Sequence, residues 1–286
     1  VCETGSMTAA ASQLFIAQPS ISLAISEMEE YYGVKLFDRI SRKLYLTENG
    51  RRALQYARHI IDLLDEMEQG VRDVDAMGRL KVGTSITIGT YLLPGYIKRL
   101  KQQYPALKVE ASIANSETIE QQILDNEIDV GIIEGVAHSH FILSESFAGD
   151  RLAFICPAGH EFAGRTLEEL AEVRNQDFIL REKGSAGREI FDGILAAQEL
   201  NVRPIWQSAS NQVILQGVKA GLGISILPYF LVRQGIREGE LAEFRIKGLA
   251  LNRKYSVIYH KNKFLPRSAR TLMELCKEEN GTARGL

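Results

Sequence analysis

Apolar positions along the first eighty residues repeat at helical spacing. Thr8–Leu14 is rich in alanine, the strongest helix former, and Gly5-Ser6 ahead of it supplies turn and cap chemistry. After Phe15-Ile16-Ala17, Pro19 suits the first turn of a second helix, where its missing N–H costs nothing. That helix is predicted to reach about Tyr32, with Ile21, Ile25 and Met28 buried and Ser20, Ser22, Leu23, Ser26 and Glu27 outward. Two short helices joined by a tight turn are common to helix-turn-helix units and to plain helical hairpins. Arg42–Thr47 then alternates polar and apolar residues like a short hairpin strand, which would form a wing. A long helix is predicted from Glu48 to Met77, with Thr47 as its cap. Ala57, Ile60, Leu64, Met67, Val71 and Val74 form a narrow heptad-like stripe along it. So narrow a stripe fits a dimerising coiled coil better than a helix lying on a broad core.

From Arg79 onward the period changes. Short apolar runs at 80–83, 109–113, 129–134, 151–156, 178–180, 202–206, 223–227 and 255–259 read as strands. Helical stretches fall at 90–104 (interrupted by Pro94-Gly95), 116–125, 186–198, 211–220 and 266–278. Repeated strand–helix units imply a doubly wound α/β architecture, and two such units side by side leave a cleft at the carboxyl ends of their strands. Polar residues collect where that cleft belongs. Thr84, Ser85 and Thr87 follow the first strand, Asn115-Ser116 the second, and Glu134 ends the third. In the second unit Gly184-Ser185 precedes a helix, and Ser210-Asn211 opens another. Hydroxyls at helix starts either cap the helix or hold a small anion. Arg188 falls in the first turn of its helix, where a cation opposes the helix dipole, so it is expected to face an anion, either bound or from Glu182.

Composition adds little until it is resolved by segment. The 286 residues carry a formal net charge of −2, and 45% are hydrophobic, an ordinary globular balance for two or three domains. No apolar run approaches the ~20 residues of a membrane span. Three scattered cysteines fit a reducing compartment and show no metal-binding spacing. The total charge conceals a surplus of five positive charges over residues 35–58, next to the helix-turn-helix candidate, which favours phosphate contact there. Signatures of P-loops, serine hydrolases and zinc peptidases are missing. His138-Ser139-His140 is expected in a loop without a metal role. On these residues a DNA-binding regulator leads. A solute-binding module with a helical dimerisation arm comes next, and an enzyme is a distant third.

Several strings resemble one family, the LysR-type transcriptional regulators. They are Gly5–Ala11 with Leu14, Gln18–Ser22, Glu29, Gly33–Arg39 and Leu46–Gly50. The resemblance implies a winged helix-turn-helix at 1–50, a linker and dimerisation helix at 51–78, and a two-subdomain effector module like a periplasmic binding protein. Subdomain I would combine 79–149 with 254–286, and subdomain II would be 150–253. A further helix of ~15 residues is expected ahead of Val1. The resemblance also implies a cytoplasmic homo-oligomer, most often a tetramer, that binds promoter DNA and answers to a small co-inducer. DNA contacts are expected from Gln18, Ser20, Ser22, Leu23, Ser26, Arg39, Arg42 and Lys43. Many relatives carry Arg or Lys where this chain has Leu23 and Ser26, so apolar, hydroxyl and shape readout gain weight here. Segments 84–89 and 181–185 look most like the branch tied to sulfur assimilation and carbon fixation. Some members of that branch sense small oxyanions and others metabolites, so the resemblance implies a small effector, with an oxyanion such as sulfite or sulfate compatible with its site, held by Thr84, Ser85, Thr87, Asn115, Ser116, Glu134, Gly184, Ser185, Arg188 and Asn211. No catalytic residue, metal or bound cofactor is expected.

Overall fold

The computed structural model describes residues 1–40, 43–72 and 78–278, without the side chains of Lys43, Asp65, Glu66 and residues 68–72. It divides into two compact units, Val1–Arg72 and Asp73–Leu286.

In the first unit, α1 (Met7–Gln13) and α2 (Gln18–Tyr32) precede an antiparallel hairpin of β1 (Phe37–Ile40) and β2 (Lys43–Leu46), and α3 (Glu48–Arg72) follows. The Ser6 hydroxyl caps α1 by accepting from the Ala9 N–H at 3.4 Å. Met7, Ala10 and Ala11 pack on Ile21, with Ile25 and Leu44 at the edge. Met28, expected on the buried face of α2, is exposed. The seven residues of α1 span only about 10 Å and cover just the first turns of α2. Glu29 ties α2 to the hairpin, its carboxylate accepting from the Leu36 and Phe37 N–H groups at 2.9 and 3.2 Å. Burial opposes its charge, but Lys35 and those two N–H groups outweigh burial and hold its pKa below the usual carboxylate value. Thr47 caps α3, accepting from the Gly50 N–H at 2.9 Å and donating to the Lys35 carbonyl at 2.6 Å. A Cβ on Gly50 would lie 2.0 Å from the Leu36 carbonyl oxygen, so only glycine lets α3 start this close to the hairpin. On α3, Ile60, Leu64 and Met67 are exposed. Of the remaining stripe, Val74 lies outside the described residues, as does the expected helical stretch 73–77.

The second unit is built on a mixed sheet. Strands β3 (Arg79–Ser85), β4 (Lys108–Ala114) and β5 (Val130–Glu134) are parallel. Next to β5 runs β12 (Asn252–His260), antiparallel to it and to β6 (Ile142–Pro157). The sixteen-residue β6 belongs to both halves of the unit. Its first part pairs with β12, and its last part pairs with β10 (Ser225–Pro228) and β11 (Leu241–Ile246). The two-residue β7 (Thr166–Leu167) lies parallel to β11, and β8 (Phe178–Arg181) pairs in parallel with β9 (Pro204–Ser208).

Helices cover both faces of each half. In the first half, α5 (Leu93–Gln103) and α10 (Arg267–Glu278) bury Tyr96, Leu100, Leu272 and Cys276 against Leu80, Val82 and Val257. On the opposite face α6 (Ser116–Leu124) packs Ile119 and Ile123 on Ile133 and Ile258. In the second half, α7 (Ala186–Ala197) sets Phe191 against Phe154 and Phe178, while α8 (Asn211–Lys219) and α9 (Tyr229–Arg237) cover Ile155 and Ile179.

The helix expected at 90–104 is two helices, α4 (Ile86–Tyr91) and α5, meeting at Leu92. Proline at position two of α5 tolerates a helix start and no earlier continuation. Residues 142–150 of β6, together with α9 and β11, lie outside the elements expected from the sequence. Polar Ser144, Glu145 and Ser146 and the bulge opposite Tyr255/Ser256 weaken the strand pattern there.

Candidate functional site

The walls of the site are helix starts facing one another across the two halves of the second unit. Ser116, Ala186 and Asn211 begin α6, α7 and α8, and all three line one cavity. Their caps are made locally: Asn115, Ser185 and Ser210 accept from the N–H groups of Thr118, Arg188 and Val213. The halves meet closely around the cavity. The Glu117 N–H donates to the Gly184 carbonyl at 3.1 Å, and the Asn115 amide to the Lys183 carbonyl at 3.3 Å. Gly184 has φ +85°, and a Cβ there would lie 2.3 Å from a Glu117 carboxylate oxygen, so glycine permits both the turn and the approach. The Asn211 amide donates to Thr87 Oγ1 at 3.5 Å, and Tyr91 stands edge-on to Phe230 at 5.2 Å. The enclosed space is only about 10 Å³, the size of a single water.

The expected effector residues divide into two groups. Ser85, Asn115, Ser116, Glu134, Ser185 and Asn211 line the cavity. Thr84, Thr87, Gly184 and Arg188 are not among its lining residues. Arg188 is buried within the second half, where its Nε donates to Asp192 at 2.7 Å and its Nη1 to the Arg181 carbonyl at 3.0 Å. The carboxylate it faces is therefore one helical turn along its own helix, not Glu182. Thr84 is fully buried beneath Gly89, and Gly184 shapes the rim.

Two arginines that sequence patterns did not single out do line the cavity. Arg181, at the end of β8, is forked onto Glu182 at 2.8 and 3.0 Å and donates to Asn211 Oδ1 at 3.0 Å. Arg253, on β12, is forked onto Asp150 at 2.6 and 2.8 Å and stands 3.7 Å from Glu134. Its burial opposes the charge, yet Glu134 and Asp150 together raise its pKa. Register could have revealed this pair, because Arg253 and Asp150 face each other directly on β12 and β6. Both cavity cations are thus already matched to carboxylates. Two polar atoms on the lining are buried without a hydrogen-bond partner among the described residues: Ser85 Oγ and Glu134 Oε1.

His138, expected to be incidental, spans the halves beside the cavity. One ring nitrogen lies 2.6 Å from Glu189 of α7 and the other 3.3 Å from Glu120 of α6. The hydrogen bond to Glu189 is the main cause that raises its pKa.

In the first unit, Ser20, Leu23, Ser26 and Arg39 are exposed and Ser22 is half-buried. Gln18 and Arg39 both reach the Met7 sulfur, at 3.9 and 4.0 Å. Arg42 and the Lys43 side chain lie outside the described residues.

Two family models match the chain: a bacterial regulatory helix-turn-helix protein of the lysR family over residues 1–51, and the LysR substrate binding domain over residues 75–281. The chain belongs to the LysR family of transcriptional regulators. This LysR-type regulator is 34% identical to the HTH-type transcriptional regulator YeiE of Escherichia coli (strain K12), over 98% of this chain and 94% of the relative. It is 30% identical to the HTH-type transcriptional regulator CysL of Bacillus subtilis (strain 168), over 91% of this chain and 87% of that one. Among solved structures, the CcmR regulatory domain of Synechocystis PCC6803, in complex with 2-PG, aligns with a TM-score of 0.64 at 25% identity, covering 71% of this chain and 97% of that domain. These relatives are consistent with the branch that segments 84–89 and 181–185 resemble. LysR-type regulators bind DNA, form oligomers and take small-molecule effectors, and they are not enzymes. Among the described residues, no helix is long and apolar enough to cross a membrane.

Proposed function

We propose that this LysR-type regulator binds promoter DNA through its first unit and responds to a small anionic effector in the cavity between the halves of its second unit. The convergence of three helix starts on one cavity carries this reading, because each N-terminus presents N–H groups and a partial positive charge. The CcmR regulatory domain, solved in complex with 2-PG, provides an analogy. The free space there is narrow, about 10 Å³, so a multi-atom anion is better accommodated once the walls part. Effector binding and the separation of the halves are then one equilibrium, which can bias the DNA-bound form. A small oxyanion, the class to which sulfite and sulfate belong, suits the short reach of the helix starts, and the groups beside them decide among its members.

On the DNA side, Arg39, Arg42 and Lys43 would contact phosphates, while Gln18, Ser20, Ser22, Leu23 and Ser26 would face base edges. The exposed Ile60, Leu64 and Met67 of α3 support dimerisation through residues 51–78, with a tetramer as the working assembly in the cytoplasm. The test is fluorescence anisotropy of the intact chain on its own upstream DNA across a salt series. Affinity should fall steeply with salt, and Arg39→Ala should reduce the log–log slope by about one without changing sequence preference. A sequence-selective loss would reassign Arg39, and salt-independent binding would refute the DNA reading.

A further inference from the structure

The unpartnered atoms of the cavity specify what its occupant must carry. Ser85 Oγ and Glu134 Oε1 belong to residues that line the cavity and are 2% and 4% exposed, and neither has a hydrogen-bond partner among the described residues. Buried polar groups left unpaired are costly, so a bound molecule that satisfies them is favoured over one that does not. A serine hydroxyl can donate to an anion. A carboxylate oxygen can only accept. The cation nearest to Glu134, Arg253, is forked onto Asp150, and its closest approach to Glu134 is 3.7 Å, too long for a hydrogen bond. Arg181 is likewise occupied by Glu182 and Asn211. A fully deprotonated oxyanion that reaches the helix starts and Ser85 would therefore also bring an oxygen against the Glu134 carboxylate, which ends the strand next to that of Ser85.

We infer that the effector is an anion that keeps a hydrogen-bond donor, such as a hydrogenphosphate-type or hydroxy-acid group, and that Glu134 selects for that donor and rejects sulfate. This rests on the effector reading proposed above and narrows its ligand class. The selection is geometric: Ser85 and Glu134 end the neighbouring parallel strands β3 and β5, so an occupant that reaches the Ser85 hydroxyl must also present a donor at the end of β5. Glu134 is held there by its place at the end of that strand, where its carbonyl accepts from the Ser116 hydroxyl at 3.1 Å. The anionic oxygens then lie toward the starts of α6, α7 and α8.

The experiment is isothermal titration of the intact chain with inorganic phosphate and with sulfate at pH 7, in parallel with Glu134→Gln. Phosphate retains a P–OH at this pH and sulfate has no proton to give. Phosphate is expected to bind at least about 100-fold more tightly, the scale on which a site built to hydrogen-bond a group rejects its analogue. Glu134→Gln supplies an amide donor and should shrink that ratio to within about tenfold by admitting sulfate. The wild-type ratio stands as a test even if the variant fails to fold. Equal binding of the two anions by the wild type overturns the inference and leaves the anion reading intact. A phosphate preference that persists in Glu134→Gln overturns the assignment to Glu134. Failure of both anions to bind overturns the anionic-effector reading itself.

Discussion

Replacing Arg253 with methionine removes the only cation facing two buried carboxylates among the described residues of the cavity wall. Arg253 is 6% exposed, and the Asp150 and Glu134 side chains are 13% and 5% exposed. In the wild type, two short hydrogen bonds at 2.6 and 2.8 Å and a second ion pair at 3.7 Å repay the desolvation of all three charges. Methionine fills much of the volume, so the cavity contribution is small and the loss is mainly electrostatic. Breaking a buried pair from one side costs about 3–5 kcal/mol, because the partner carboxylate stays buried and uncompensated. For a domain of roughly 200 residues that corresponds to a fall of about 6–20 °C in melting temperature. Differential scanning calorimetry of the intact chain reads it. Asp150→Asn alone should cost less, since a neutral amide needs no counter-charge. The double variant should fall short of the summed single effects by more than about 1 kcal/mol. A single variant melting within about 2 °C of the wild type, or strictly additive effects, would show that Arg253 is held by something other than these carboxylates.

The remaining predictions concern other parts of the chain. Gly50→Ala places a Cβ 2.0 Å from the Leu36 carbonyl oxygen and should destabilise the first unit by about 2 kcal/mol or more, abolishing DNA binding in an anisotropy assay while calorimetry shows the second unit melting as before. His138 has a raised pKa, so its stabilisation of the contact between the halves is fully present below the ordinary histidine value of about 6.5 and is lost as pH rises through the higher folded value. Its side chain is 61% exposed, so the effect should stay under about 1 kcal/mol, and His138→Gln should flatten the pH dependence of stability between about pH 6 and 8. Cys156 is buried, with its thiol pushed up to about 11, and Cys276 is buried too, so a thiol reagent at pH 8 should label Cys2 first and the other two only after unfolding. Rapid modification of Cys156 in the native protein, read by peptide mass mapping, would contradict its burial. Arg188→Ala should lower the melting temperature through loss of its Asp192 and Arg181 contacts while changing the affinity for phosphate by less than about threefold.

The sequence by itself determined most of the order of elements, with α9, β11 and the first part of β6 left out, and the strand and helix ends around which the cleft forms. Alanine-rich and proline-started helices, the alternating wing and the run of strand–helix units follow from local rules of propensity, capping and periodicity, and six of the ten expected effector residues do line the cavity. These features were legible because each depends on neighbours within one turn or one strand. Tertiary structure decided which charges face the cavity and which are already neutralised. Arg188 is expected from the sequence to face a bound anion or Glu182, but packing turns it toward Asp192. Arg253 stands out in no pattern along the chain, but the register of β12 against β6 sets it opposite Asp150 and beside Glu134. Partners about a hundred residues apart leave no periodic trace. The donor-demanding character of the cavity comes from those long-range pairings, because an unpaired oxygen can be recognised only once every possible partner has been placed.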